Sequence, residues 1–192
     1  PSHISWYQLT IEPNTVFFNK PPELPTDILL ESIQKKGGKV LLDAGYKQYE
    51  VSAYCKKNSK SMHNMNYWKF GDYLGIGAGA HGKITLPKEK RILRMQKTRS
   101  PSDYLNKGKS YTAVSKQINS KEIPLEFMMN ALRLNQGVSK NTFEGRTGLS
   151  INEIERPLRA LKKQKLIENL DEKICPTVKG HMFLNSLLEV FL

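Results

Sequence analysis

The sequence predicts an α+β fold, a strand-rich first part followed by a winged-helix-like last third, and three features carry that prediction. Stretches rich in aromatic and β-branched residues, 4–11, 46–54 and 91–97, read as strands. After Ser120 the pattern becomes helical, with Leu125, Met128, Met129 and Leu132 at i, i+3, i+4 and i+7. Between them, 106–119 is polar and weakly patterned, so the expected domains are 1–106 and 120–192.

The first stretch, ISWYQLTI, alternates only loosely, which suits a strand buried on both faces of a mainly parallel sheet. It ends at Glu12-Pro13-Asn14, where Glu12 is either a rim residue of a barrel-type site or a turn-capping carboxylate. Pro21, Pro22 and Pro25 make a rigid connector; Thr26 then caps a helix running to about Ala44, and Gly45 stops it. Leu29, Leu30, Ile33, Val40 and Leu41 form its expected inner stripe, with a weak point or kink at Gly37-Gly38. The strand 46–54 leads to Cys55 in a lysine-flanked loop, where the thiol is either a bystander or a thiolate favoured by nearby positive charge.

Residues 61–84, SMHNMNYWKFGDYLGIGAGAHGKI, concentrate the groups that chemistry uses. If HNMNYW is helical, His63 stacks over Tyr67 and Asn64 over Trp68. A histidine beside a tyrosine grips a metal or a planar ring, or else hydrogen-bonds the helix to its neighbours. Gly77, Gly79 and Gly82 match G-x-G-x-x-G, but a strand ending at Pro87 follows where a dinucleotide site needs a helix. The expected form is a strand stripped of side chains, open to close approach by a flat ligand or another backbone, with His81 at its end.

Residues 91–97 should pair antiparallel with 83–86 across the 87–90 turn, and Ser100-Pro101-Ser102-Asp103-Tyr104 opens a short helix with proline in its first turn. In the last third, a helix from Ser120 to Gly137 is followed by a short one from Ser139 to Gly145. Ser150 and Glu153 form a capping box for a third helix with Ile151, Ile154, Leu158 and Leu161 inward and a bend at Pro157. A hairpin turning at 170–172 and a last helix, capped by Thr177 with Leu184, Leu187, Leu188 and Phe191 inward, complete the winged-helix-like part. Its third helix presents Arg156, Arg159, Lys162, Lys163 and Lys165, the basis of a rival nucleic-acid-binding reading. Glu153 and Glu155 in its first turn would repel phosphates, so no nucleic acid is expected.

The chain carries a net charge of +12, with 30 basic residues against 18 acidic. Much of the surplus lies between Lys83 and Lys121; a solvated face accounts for it, and so would an anionic ligand, an acidic partner, a weak membrane-surface contact or nucleic acid. No apolar run approaches the ~20 residues of a membrane span. Two cysteines, Cys55 and Cys175, are no disulfide framework and fit a reducing, cytoplasmic setting.

The run HNMNYWKFGDYLGIGAGAHGKI resembles the H-N-x-x-Y-W and G-x-G-A-H motifs of the HemW-type proteins, relatives of oxygen-independent coproporphyrinogen III oxidase in the radical S-adenosylmethionine superfamily. HISWYQLTIEPNT, GYKQYEVSAY, RILRMQKTRSP, PLEFMMNALRL and HMFLNSLLEVFL extend the resemblance over nearly the whole chain. It implies that residues 1–106 are the end of a partial (β/α) barrel with accessory strands. It also implies a preceding part whose C-x-x-x-C-x-x-C holds a [4Fe–4S] cluster and S-adenosylmethionine. Two cysteines cannot supply that set, so the chain is expected to be a C-terminal half, inactive alone and prone to self-association through an exposed barrel edge. The implied function is haem binding for delivery to acceptor proteins, with His63 as axial ligand and Asn64, Tyr67 and Trp68 as haem contacts. The alternative is a coproporphyrinogen III oxidase-type enzyme. Gly77, Gly79, Ala80 and His81 are the implied cofactor contacts.

Overall fold

The structure, a computed structural model, describes residues 1–106, 108–168 and 172–192. It divides into two compact units, residues 1–61 and 62–192.

The first unit contains β1 (His3–Ser5), α1 (Val16–Asn19), α2 (Asp27–Asp43), β2 (Lys47–Glu50) and β3 (Ala53–Cys55). The sheet has the order β1-β3-β2 and both pairings are antiparallel, so the expected parallel strand over 4–11 is corrected to three residues of antiparallel edge. The stretch 46–54 folds back as a hairpin, and Cys55 ends β3 as a buried residue instead of lying in a loop. Tyr46, Tyr49, Ala53 and Tyr54 form the buried centre of the unit.

Helix α2 keeps its expected ends. The Thr26 hydroxyl accepts from the Leu29 N–H, and Gly45 adopts a φ of 84° that costs a glycine nothing. The inner stripe is not buried. Leu29, Ile33 and Val40 are exposed, and Leu30 and Leu41 are half-buried. Gly37-Gly38 is no kink either, because α2 runs unbroken through it. The Trp6 ring lies where a side chain on Gly37 would be, 2.0 Å from the position of an added Cβ. The bare glycine is thus the seat of the indole, which also packs against Tyr54 at 6.2 Å between centroids.

The second unit opens with α3 (Met62–Trp68), then β4 (His81–Leu86), β5 (Arg91–Lys97), α4 (Pro101–Leu105) and β6 (Thr112–Gln117). The sheet order β4-β5-β6 is antiparallel throughout, and β4 and β5 join through a tight turn in which Lys90 is left-handed, as expected from the 87–90 spacing. Ser100 caps α4. The polar stretch 106–119 contributes β6, whose side chains are largely exposed, which is why it carries little pattern.

The chain continues as α5 (Ile123–Ala131), β7 (Val138–Ser139), α6 (Lys140–Thr147), a 3-10 turn over Ile151–Ile154, α7 (Glu155–Lys163), β8 (Lys173–Ile174), α8 (Val178–Met182) and α9 (Leu184–Leu188). Phe127 stands at the centre of the core, edge-on to Phe70 at 5.6 Å and to Phe143 at 5.1 Å. The buried face of α5 is Ile123, Phe127, Met128 and Ala131, followed by Leu132, while Met129 is 52% exposed; the expected stripe was rotated by one position. The third helix breaks at Ile154, ahead of Pro157, because a proline ring in the helix interior would strike the carbonyl four residues earlier. The last helix splits at Phe183, yet Leu187 is buried and Leu184, Leu188 and Phe191 pack on the core as expected. β8 pairs with β7, and among the described residues the expected hairpin shows one bridge, between Ile167 and Pro176; residues 169–171 of its turn lie outside them.

Replacing an interior helical glycine by alanine ordinarily stabilises by roughly 1 kcal/mol, but Gly37→Ala must displace Trp6 and is expected to cost about 1–3 kcal/mol instead. The denaturant midpoint checks this, and a midpoint at or above that of the native chain contradicts it.

Candidate functional site

Helix α3 is short and two-sided. Met65 and Trp68 pack against the core of the second unit, and the Arg133 guanidinium lies over the indole at 4.4 Å. The Trp68 indole N–H is buried without an acceptor among the described residues. On another face, the exposed His63 ring meets Tyr67, with centroids 4.8 Å apart and planes at 50°. The structure therefore brings His63 and Tyr67 together, as i,i+4 spacing requires, and turns Trp68 away from them. Half-buried Asn64 falls one residue on from His63, on the flank between the two faces.

The stack continues beyond the helix. Tyr67 meets Tyr73 with centroids 4.3 Å apart, and the Tyr73 hydroxyl accepts from Arg94 Nη1 at 3.2 Å. Arg94 in turn forms an ion pair with Glu126 of α5. Burial, and the neighbouring Tyr73, push the Tyr67 phenol above its ordinary value, so it stays neutral near pH 7.

What fixes Tyr73 is a lysine that sequence reasoning counted only as surface charge. Lys83 is 1% exposed. Its ammonium donates to Asp72 Oδ1 at 2.8 Å, to the Phe70 carbonyl at 3.0 Å and to Thr85 Oγ1 at 3.3 Å, and it sits 4.1 Å from the Phe70 ring centroid. The second Asp72 oxygen accepts from the Thr85 N–H at 2.9 Å. Main-chain bonds of 3.0 Å in both directions join Tyr73 to Lys83. The loop between α3 and β4 is thus pinned, tightly enough to hold buried Phe70 at a left-handed φ of 56°. Gly71 is required there, since a Cβ on it would stand 1.9 Å from Asn66 Oδ1.

Desolvation lowers the Lys83 pKa despite its pairing with Asp72. For Asp72, desolvation acts upward, but the bonds from Lys83 and Thr85 outweigh it and leave the carboxyl below its ordinary value. The two groups have opposite pH consequences. A depressed carboxyl contributes stability that is complete above its unfolded pKa and lost as pH falls through the folded one. A depressed lysine is a cost near neutral pH that lessens as pH rises from its folded value toward 10.5.

The glycine run is a loop, not the expected strand; regular pairing of β4 with β5 begins at His81, opposite Gln96. Its amides are used within the protein. Gly77 N–H donates to the Tyr104 hydroxyl at 3.2 Å, Gly79 N–H to the Thr98 carbonyl at 2.9 Å and Ala80 N–H to the Gly77 carbonyl at 3.2 Å. Gly77 and Gly79 have φ of 105° and 71°, values that favour glycine, and a Cβ on Gly77 would meet nothing within 4 Å. The loop is therefore open at Gly77, closed by its own backbone at Gly75, where a Cβ would lie 2.3 Å from the His81 carbonyl oxygen, and no ready cradle of donors.

Of the four histidines, His63 and His81 are exposed. His3 bonds to the Tyr49 hydroxyl at 2.9 Å, and His181 to the Leu132 carbonyl at 3.1 Å, where burial lowers its pKa. Among the described residues no three histidine, cysteine or carboxylate side chains cluster as a metal site. The five basic residues of 156–165 are all exposed, and Arg159 is paired with Glu155 at 2.7 Å.

Comparison with known proteins gives the chain relatives. Residues 118–183 match the HemN C-terminal domain. The whole chain is 48% identical to the haem chaperone HemW of Haemophilus influenzae and 45% identical to that of Escherichia coli, covering 49% and 50% of those proteins. The mitochondrial radical S-adenosyl methionine domain-containing protein 1 of Danio rerio is 31% identical over 74% of this chain and 34% of its own. Among solved structures, the radical SAM enzyme coproporphyrinogen III oxidase (HemN) of Escherichia coli superposes over 100% of this chain and 48% of its own, with a TM-score of 0.70 at 13% identity, a likeness of fold. The chain spans about half the length of the curated relatives it matches.

Removing Asp72 leaves the Lys83 charge buried without its counter-ion, so Asp72→Asn is expected to cost about 3 kcal/mol, and Asp72→Asn with Lys83→Met to recover much of it. Equilibrium urea unfolding of both variants checks this; equal loss in the single and double variants contradicts it.

Proposed function

From its kinship with the HemW-type, coproporphyrinogen-oxidase-like radical SAM proteins, whose C-terminal half it matches, we propose that this chain binds haem for delivery to an acceptor protein. The single observation that carries the reading is His63, an exposed imidazole on a helix whose opposite face is fixed in the core. Neutral imidazole is an ordinary axial ligand of haem iron. Haem is the cargo: His63 supplies a ring nitrogen to its iron, neutral Tyr67 lies alongside, and Asn64 is the amide on the flank. Trp68 acts from behind, by seating α3.

The open Gly77, Gly79 and Ala80 surface, with His81 at its end, serves a cofactor through close approach and not through amide donation. The two cysteines do not fit an iron–sulfur cluster, since Cys55 is buried in β3 of the first unit, and Cys175, in the second, donates to the Asn135 carbonyl and has its pKa raised by burial. The cluster and S-adenosylmethionine belong in this reading to the remainder of the relatives' length.

The surplus of positive charge supports an anionic partner, haem propionates or an acidic acceptor surface, over a neutral one. No helix among the described residues is long and apolar enough to cross a membrane. The two unpaired cysteines support a reducing, cytoplasmic setting. A porphyrinogen oxidase reading has the shared fold in its favour, but the haem-chaperone relatives stand at 45–48% identity against 13% for the oxidase.

Titration with ferric haem is expected to give a shifted Soret band at equimolar saturation that His63→Ala abolishes. An unchanged band in the variant removes His63 from the site.

A further inference from the structure

His63 is the second residue of a seven-residue helix. A helix this short has little stability of its own and its first turn frays, so α3 alone does not fix the imidazole plane. The ring that flanks His63 among the described residues is Tyr67, and Tyr67 is held between His63 and Tyr73, at 4.8 and 4.3 Å. Tyr73 is the first member of this stack with a fixed direction. Its backbone is bonded both ways to buried Lys83, and its hydroxyl receives Arg94 Nη1 at 3.2 Å. Arg94 stands opposite Lys83 across the sheet, and the Glu126 carboxylate of α5 holds its guanidinium from the other side. Glu126 lies within residues 118–183, the part that matches a separate family domain.

We infer that Tyr73 is a positioning residue of the haem site, setting the plane of the His63 imidazole through Tyr67, and that Arg94 of β5, held by Glu126 of the C-terminal domain, aims it. This rests on His63 as the iron ligand. The phenol does not touch the iron; it acts as a backstop whose ring sets the tilt of Tyr67 and whose hydroxyl sets its own rotation. The consequence is that the C-terminal domain governs how firmly the ligand is presented without itself contacting haem.

The test compares the native chain with Tyr73→Phe, Tyr73→Leu, Glu126→Gln and His63→Ala. For each, the electron paramagnetic resonance spectrum of the low-spin cyanide adduct of the ferric haem complex is recorded, together with the rate at which the cyanide-free complex loses haem to excess apomyoglobin. Losing the ring stack and the charge-assisted bond together should speed haem loss about tenfold in Tyr73→Leu, and losing the bond alone roughly threefold in Tyr73→Phe. Glu126→Gln should match Tyr73→Phe in rate, and all three should broaden the rhombic signal, which reports the spread of imidazole orientations. If Tyr73→Leu does not fold, the two milder variants carry the test. Native loss rates and line shapes in the Tyr73 and Glu126 variants, with haem binding abolished in His63→Ala, overturn the inference and leave the ligand assignment standing. Undiminished binding in His63→Ala overturns both.

Discussion

The second unit is organised around one buried cation. Lys83 gathers the Phe70 carbonyl, the Asp72 carboxylate and the Thr85 hydroxyl onto a single ammonium while its strand pairs with Tyr73. Burying a charge is expensive, and the interaction is tolerable only because every direction the ammonium points in is answered. Its value lies in geometry more than in net stability. An apolar residue of similar size would fill the space but would leave the left-handed Phe70 and the Asp72 turn without the bonds that fix them.

From that cation the order of construction runs outward. Phe70 is held against Phe127, which places the loop on the core of α5 and α6. Asp72 ties the loop to β4, and Tyr73 extends the sheet by one bridge beyond β4. Helix α3 then has two anchors, Met65 and Trp68 in the core below and the Tyr73 ring beside Tyr67. At the outer end of this chain of contacts the His63 imidazole faces solvent. A site built this way has its most reactive atom at the end of a rigid series, which is what binding a flat cofactor without reshaping requires.

How much of this was legible in the sequence follows from the range of each interaction. His63 over Tyr67 was readable because helical spacing alone determines it. So were the caps at Thr26 and Thr177, the helix starts at Ser100 and Ser139 and the β4–β5 hairpin, all fixed by residues a few positions apart. Lys83 was not, because its partner lies eleven positions earlier across an irregular loop, and no periodicity marks a lysine as buried. Helical spacing puts Asn64 and Trp68 on one side of α3, but that this side is inward depends on Arg133 and the α5 core, more than fifty positions away. The glycine run was taken for a strand because missing side chains look the same whether a ligand or the protein's own loop uses the space. The exposed stripe of α2 shows the limit of amphipathic reasoning: spacing tells which residues share a face and not whether anything within the described chain covers it.

The account reduces to the claim that His63, and no other histidine, meets the iron. Imidazole-nitrogen NMR of the chain bound to ferric haem, made low-spin with cyanide, tests it most directly, because hyperfine shifts fall off within a few bonds of the metal. The account predicts strongly displaced ring resonances for His63 alone, with those of His3, His81 and His181 near their haem-free positions. Displacement of the His81 resonances with His63 unmoved would contradict it.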